Sequence, residues 1–262
     1  MIRALYTAAT GMDAQQTNLD VIANNLANVN TVGFKKSRAD FQDLMYQYVV
    51  EPGAQTSQVT FNPTGVQVGL GVKTASVQKM FTQGDLSSTG SQFDVAIEGD
   101  GFMQILRPDG TFAYTRAGTL QLDFNGQLVT SDGFQIAPGI NIPPDALGIT
   151  IAQDGTVSVR QPNTPVPTQV GQITGVRFPN NAGLRAVGQN LYEETQASGA
   201  PVVGIFNQLG FGRLNQGFLE SSNVSVVDQV VSMITAQRAY EASSKGITTA
   251  DEMLSAAINI KR

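Results

Sequence analysis

Apolar residues return every seven positions at both ends of this chain, and that double pattern most narrows what it can become. Leu5, Met12, Leu19 and Leu26 are spaced by seven, with Ala8, Gln15, Ile22 and Val29 three residues later. Near the other end Val226, Met233, Tyr240, Ile247 and Leu254 repeat the spacing, accompanied by Gln229, Ala236, Ser243, Ala250 and Ala257. A period near 3.5 rather than 3.6, sustained over several heptads, predicts helices that pair in a coiled coil. Small residues beside the second seam let a partner helix approach closely. The Asn-rich stretch from Asn24 to Asn30, followed by Gly33, predicts that the first helix stops near residue 30. Asn223 or Ser225 is the expected N-cap of the second.

Between the helices the composition changes. All 11 prolines lie there, whereas the predicted helices hold only two glycines, Gly11 and Gly246. Asp109-Gly110, Asn125-Gly126, Asp132-Gly133 and Asp154-Gly155 predict type I′ hairpins between short β-rich runs at 93–97, 102–106, 127–130 and 156–159. No helical pattern separates these runs, so the sheet is expected to be antiparallel. Phe41, Leu44, Met45 and Tyr48 suggest a helical turn or two, and residues 51–65 read as an extended loop. The expected architecture is therefore α+β, in three parts. Residues 1–30 with 224–262 form a terminal helical coiled-coil domain, 31–71 a linker with an extended loop, and 72–223 a central antiparallel all-β domain.

Composition removes most chemistry. The chain has no Cys and no His, so Ser–His–Asp or Cys–His catalysis and Cys/His zinc sites are unavailable. Residues 69–74 lack the glycines of a phosphate loop, and Asp123-Phe124-Asn125-Gly126 lacks the later ligands of a calcium loop, so it reads as a hairpin turn. Asp94, Glu98 and Asp100 would share one face of a strand, and a carboxylate-based peptidoglycan hydrolase is the one enzymatic alternative they leave open. Outward-facing surface carboxylates are the simpler reading. No catalytic, cofactor or metal site is expected. The net charge of −5, and a densest basic cluster of only Lys35-Lys36-Ser37-Arg38, argue against nucleic acid; that cluster is expected to be a solvated turn. Charged residues make up only 14%, which suits a protein surrounded by other protein. No apolar stretch is long enough for a membrane span, and the N-terminus lacks the h-region of a signal peptide, so the residues alone suggest a cytoplasmic protein.

Several blocks carry a family likeness. Residues 23–35, Ala-Asn-Asn-Leu-Ala-Asn-Val-Asn-Thr-Val-Gly-Phe-Lys, closely resemble the N-terminal signature of the flagellar rod and hook family of axial proteins. Asp94–Phe102 and Tyr114–Gly118 resemble that family's central motifs, and Gln216–Val224 with Gln237–Glu241 its C-terminal signature. Residues 39–55 are similar to the stretch that marks distal-rod members, although proximal-rod and short hook proteins are related alternatives. Met103 stands where a second aromatic would be expected.

The resemblance implies a structural subunit of a hollow drive shaft that crosses the periplasm and transmits torque from motor to hook. It implies export by the flagellar type III system without a cleaved signal peptide, which overrides the cytoplasmic reading. It also implies self-assembly into a helical polymer, with proximal-rod proteins, hook protein and the P- and L-ring proteins as neighbours. The assembly interface is then expected at Leu5, Met12, Leu19, Ile22, Leu26, Val29, Val226, Met233, Tyr240, Ile247 and Leu254. Residues 46–65, with Tyr46, Tyr48, Pro52, Phe61 and Pro63, are expected to bridge neighbouring subunits and stiffen the tube.

Overall fold

Two long stretches without proline form the helices, α1 (Ile2–Ala27) and α2 (Val226–Ile260). At 1.5 Å per residue they run about 39 and 52 Å. Thr7, Thr10 and Thr17 donate their hydroxyls to carbonyls three or four residues earlier, so these polar side chains are satisfied within α1. The start of α2 is capped by Ser225, whose hydroxyl accepts from Asp228 N at 3.4 Å. Asn223, the other candidate cap, is engaged elsewhere. A computed structural model describes residues 2–53, 63–162, 164 and 166–260, which fall into two compact units.

The helical unit comprises residues 1–27, 37–79 and 225–262. In it α1 and α2 pack on each other, and α1 also packs on a pair of strands. These are β1 (Ser37–Asp43) and β4 (Val72–Lys79), antiparallel with a register slip between Asp40 and Phe41. Between them β2 (Tyr46–Val50) pairs with β3 (Val66–Gly69) as a separate antiparallel ribbon. The helical turns expected around Phe41, Leu44, Met45 and Tyr48 are therefore absent. Pairing with β3 and β4 satisfies the backbone of this segment, and pairing across a chain loop overrides a weak local helical pattern. The part expected as linker contributes three strands, and β4, just past its boundary at residue 71, also belongs to the helical unit.

The β unit comprises residues 28–36 and 80–224. Its strands are β5 (Leu86–Ser88), β6 (Val95–Glu98), β7 (Phe102–Leu106), β8 (Phe112–Thr115), β9 (Leu120–Leu122), β10 (Leu128–Thr130), β11 (Gln135–Ile136) and β12 (Gly148–Ile151). After these come β13 (Thr156–Arg160), β14 (Thr168–Gln172), β15 (Thr174–Arg177), β16 (Arg185–Gly188), β17 (Leu191–Glu193), β18 (Val202–Ile205), β19 (Arg213–Gln216) and β20 (Phe218–Glu220). A nine-stranded sheet carries the path β16-β17-β8-β7-β11-β10-β9, with β15 joining β7 to β18. A three-stranded sheet β12-β13-β14 and the pairs β6–β19 and β5–β20 complete it, and every ladder is antiparallel. An aliphatic cluster around Ile97, Met103, Ile105, Ile136, Ile173 and Leu214 fills the interior. An aromatic one joins Phe81, Phe102, Tyr114, Phe178 and Tyr192 edge to face. Met103 is fully buried in the first cluster.

All four Gly-containing dipeptides sit at hairpin turns, but the turns are not type I′. Gly110, Gly126, Gly133 and Gly155 have φ near +80° while the preceding Asp or Asn does not have positive φ. Each glycine N–H donates to a carbonyl three residues back, and a second backbone bond closes the loop around it, as in Arg107 N to Thr111 O. This is a type I turn followed by a left-handed glycine, the three-residue hairpin form. Asp109 and Asp154 reinforce it by accepting from the N–H and hydroxyl of Thr111 and Thr156.

Gly118 is required for a different reason. A Cβ there would lie 1.5 Å from the Val95 carbonyl oxygen, while Val95 N donates to Gly118 O at 3.0 Å. Gly118→Ala is expected to abolish cooperative unfolding of the β unit, read by urea denaturation and limited proteolysis. Gly110→Ala, where nothing stands within 4 Å, should cost only about 1–2 kcal/mol of left-handed backbone strain.

Candidate functional site

Of the expected seam residues, only Ile22 is buried; Ala14 and Asn25 on α1 and Ala236 and Ala250 on α2 are buried as well. Leu5, Met12, Leu19, Leu26, Met233, Ile247 and Leu254 are half-buried, whereas Val226 and Tyr240 are exposed. Asn25 ties the unit together: its amide donates to Ser37 O at 2.8 Å and to Gln229 Oε1 at 3.2 Å, and its oxygen accepts from Ser37 N. Val29 is not on the seam. It lies past the end of α1 and belongs to the β unit, because the Asn-rich segment leaves the helix at Ala27. On α2 a further apolar stripe, Val227, Val230, Val231 and Ile234, follows i, i+3, i+4, i+7 spacing and is exposed, Val227 by 72%.

The β2–β3 ribbon exposes Tyr46, Tyr48, Val49, Val66 and Val68. A two-stranded ribbon has too little buried area to be stable alone in water, so this apolar surface asks for a cover. Pro52 and Pro63 are exposed at its distal end, and Phe61 lies outside the described residues.

The expectation of a solvated turn at Lys35–Arg38 is wrong for Lys35. Its side chain is 0% exposed and its ammonium lies 2.6 Å from Glu220 Oε1, itself 0% exposed. Arg116 Nε reaches Glu220 Oε2 at 2.9 Å. The remaining donors meet backbone dipoles: Lys35 Nζ donates to Thr82 O at 2.7 Å, and Arg116 to Gly99 O at 2.9 Å and Ile97 O at 3.3 Å. Glu220 Oε1 also accepts from Gly84 N at 2.9 Å. Gly33 N donates to Glu220 O at 2.8 Å, where a Cβ at residue 33 would collide with Ala117. Asn223 accepts from Lys36 N and donates to Met80 O and Thr82.

Burial pushes the Glu220 carboxyl up, but Arg116 and then Lys35 outweigh it and hold it below the ordinary carboxylate range. Burial, with repulsion from Arg116, lowers Lys35, and Glu220 only partly restores it. Burial keeps the nearby Tyr192 phenol neutral, pushed up to about 12.

This ionic cluster is where the family-like sequence blocks meet. Lys35 comes from the first, Ile97 and Gly99 from the second, Arg116 from the third and Glu220 with Asn223 from the fourth. Sequence reading missed it. The available signal was a single charge, Lys35, Arg116 or Glu220, within each of three otherwise uncharged blocks.

The carboxylates considered for catalysis are all committed. Asp94 is buried and accepts from the Thr89 hydroxyl at 2.6 Å. Glu98 forms a bidentate pair with Arg213, at 2.9 and 2.8 Å, and accepts from Asn215; Asp100 faces Arg177 at 4.0 Å. Glu98 and Asp100 line one open depression, but Arg213 and Asn215 hold Glu98 in place, so the two are not a free acid and base. Among the described residues no group of His, Cys, Asp or Glu could hold a metal ion, and no helix is long and apolar enough to cross a membrane.

Comparison with known proteins matches the same blocks. The family described as "Flagella basal body rod protein" matches residues 5–35, "Flagellar hook protein FlgE/F/G D1 domain" residues 96–159, and "Flagellar basal body rod FlgEFG protein C-terminal" residues 215–260. The flagellar basal-body rod protein FlgG of Borreliella burgdorferi is 53% identical over all of both chains. Its counterpart in Caulobacter vibrioides is 50% identical over 99% of this chain and 100% of that one, and that of Bacillus subtilis 43% over all of both. The solved flagellar hook protein FlgE2 of Helicobacter pylori aligns over 71% of this chain and 43% of its own, at 16% identity and a TM-score of 0.26, too weak a likeness to compare element by element.

Proposed function

This chain belongs to the flagellar basal-body rod family, and from that premise we propose that it polymerises helically through its terminal helices into the distal part of the rod. It is a structural subunit and not an enzyme. The observation that carries the assembly reading is the α2 stripe of Val227, Val230, Val231 and Ile234. A helix whose inner face already packs within its own unit, and which still presents an apolar stripe outward, has a second face to cover. In a heterologous polymer the neighbouring subunit's helices supply that cover, and repetition of the contact gives an open helical tube. The seam residues Leu5, Met12, Leu19, Ile22, Leu26, Met233, Tyr240, Ile247 and Leu254, together with Val226, form the wall of that coiled coil.

The polymer spans the periplasm between proximal-rod proteins and hook protein, inside the P- and L-ring proteins, and its subunits arrive through the flagellar type III apparatus. Fluorescent tagging of basal-body preparations, with the chain found between the proximal rod and the hook, tests this placement. Labelling confined to the proximal rod or to the hook would refute it.

The β2–β3 ribbon, through Tyr46, Tyr48, Pro52 and Pro63, packs on a neighbouring subunit and stiffens the tube. Deleting residues 46–69 is expected to yield rods that still form but bend, with a several-fold wider spread of rod curvature in electron micrographs of isolated basal bodies. Rods as straight as those of the wild type would remove the ribbon from this role.

A further inference from the structure

Two exposed apolar features of the β unit belong to neither the helical seam nor the ribbon. The first is the loop between β18 and β19. Phe206, fully buried, roots it, and Asn207 N donates to Gly212 O at 2.8 Å while Phe211 N donates to Gln208 O at 2.9 Å. Within it Asn207 and Leu209 hold φ of +61° and +49°. Left-handed backbone is uncommon for a bulky residue, and burial does not compensate it here, because Leu209 is 91% exposed. The loop is braced from below by Arg177. Its guanidinium donates to Leu209 O at 3.5 Å and lies 5.6 Å from the Phe211 ring centroid. A braced, strained loop thus presents one aliphatic side chain to solvent.

The second feature is a groove of about 440 Å³ beside the β9–β10 hairpin, lined by Phe93, Leu122, Ile142 and Leu147. Phe124 stands on its rim, 91% exposed. Asp123 is the one charged residue of the lining.

The β6–β19 pair runs between these features. At one end Arg213 is opposite Glu98, and Gly212 N donates to Asp100 O at the base of the loop. At the other end Gln216 is opposite Val95, and its side chain donates to Gln92 O at 2.7 Å and Ile149 O at 3.0 Å, both from residues lining the groove. An aliphatic knob over Arg177, a half-exposed cation that Asp100 approaches only to 4.0 Å, and an apolar groove with a carboxylate therefore sit at opposite ends of one strand pair. A surface whose complement lies at the other end of the same molecule makes a heterologous contact that propagates without closing.

We infer that Leu209 of one copy seats in the Leu122–Leu147 groove of the next, with Arg177 facing Asp123 across the rim. This rests on the rod-subunit reading and adds to it an interface between β units.

Because the chain has no cysteine, an introduced pair reports on this contact alone. The full-length chain carrying Leu209→Cys and Leu147→Cys is produced in cells lacking the wild-type copy, and isolated basal bodies are oxidised. The expected result is a ladder of disulfide-linked multimers that collapses under reductant and is absent from either single variant. Rods that assemble from the double variant without a ladder overturn the inference while leaving the rod reading intact. Absence of the wild-type chain from basal bodies overturns the rod reading itself. A second variant, Leu209→Gly, suits the left-handed backbone and removes only the knob. Its urea midpoint should equal or exceed that of the wild type, while rods per cell fall at least tenfold. Wild-type rod numbers in Leu209→Gly overturn the inference even if the cysteine pair blocks assembly.

Discussion

Glu220→Gln is expected to cost the β unit about 3–5 kcal/mol, the range for removing one partner of a buried ion pair. The amide is nearly isosteric, so the loss is electrostatic: Lys35 and Arg116 stay buried, at 2.6 and 2.9 Å from a group that no longer carries charge. Their bonds to Thr82, Ile97 and Gly99 carbonyls soften the penalty but do not neutralise two cations. Replacing all three residues by Met should recover a large part of the stability, because no unpaired charge remains in the interior. Urea denaturation of the three proteins measures both effects. A Glu220→Gln loss under about 1 kcal/mol would mean that the cluster is incidental.

The same carboxyl makes a pH signature. Its folded pKa is held below the unfolded value of about 4.3. Its contribution is therefore complete above that unfolded value and is lost as pH falls through the folded one. Other carboxylates lose stability in acid as well, so the informative quantity is the gap between wild type and Glu220→Gln. That gap should be widest at pH 7 and close progressively below about pH 4, because a protonated Glu220 and a Gln make similar demands on Lys35 and Arg116. A gap that stays constant down to pH 3 would argue that packing, not charge, distinguishes the two side chains.

Ile22→Asp is the second large effect. Ile22 is 5% exposed in the helical unit, and the substitution removes its packing and introduces a charge with no partner there. About 4 kcal/mol or more is expected from the two together. Isolated helices of this length have little stability of their own, so α1 and α2 should melt while the β unit keeps its separate transition. Circular dichroism would show most of the helix signal gone, and cells would lack rods and motility. Val227→Asp is the necessary contrast. At 72% exposure it should leave the monomer's helix signal unchanged and still stop rod formation, since its partner lies in another subunit. If Val227→Asp rods form normally, the outward stripe is not an assembly face.

The residues differ in how much they disclosed on their own. The heptad spacing and the absence of proline located both helices to within three residues of α1 and α2. Four Asp-Gly or Asn-Gly dipeptides located four hairpins. The turn type was misjudged because an Asp or Asn can stay at negative φ while the glycine alone takes the left-handed conformation, a choice made by the length of the loop. The failure at Phe41–Tyr48 has a similar cause: partner strands 19 to 33 residues away outcompeted a short helical pattern. Val29 fell off the seam because the Asn-rich segment is poor helix-forming material and α1 ends at Ala27.

What the sequence determined by itself is what short-range physics governs: helix periodicity at the two ends, turn chemistry in the middle, and the exclusion of most catalytic chemistry by the absence of His and Cys. Only the tertiary structure decided which charges go inside. Lys35 and Glu220 are 185 residues apart, and the residues around each one do not say which partner it would meet inside. Desolvating a charge is unfavourable until its counter-ion arrives, so the fate of Lys35 depends on the whole antiparallel fold that brings Glu220 and Arg116 to it.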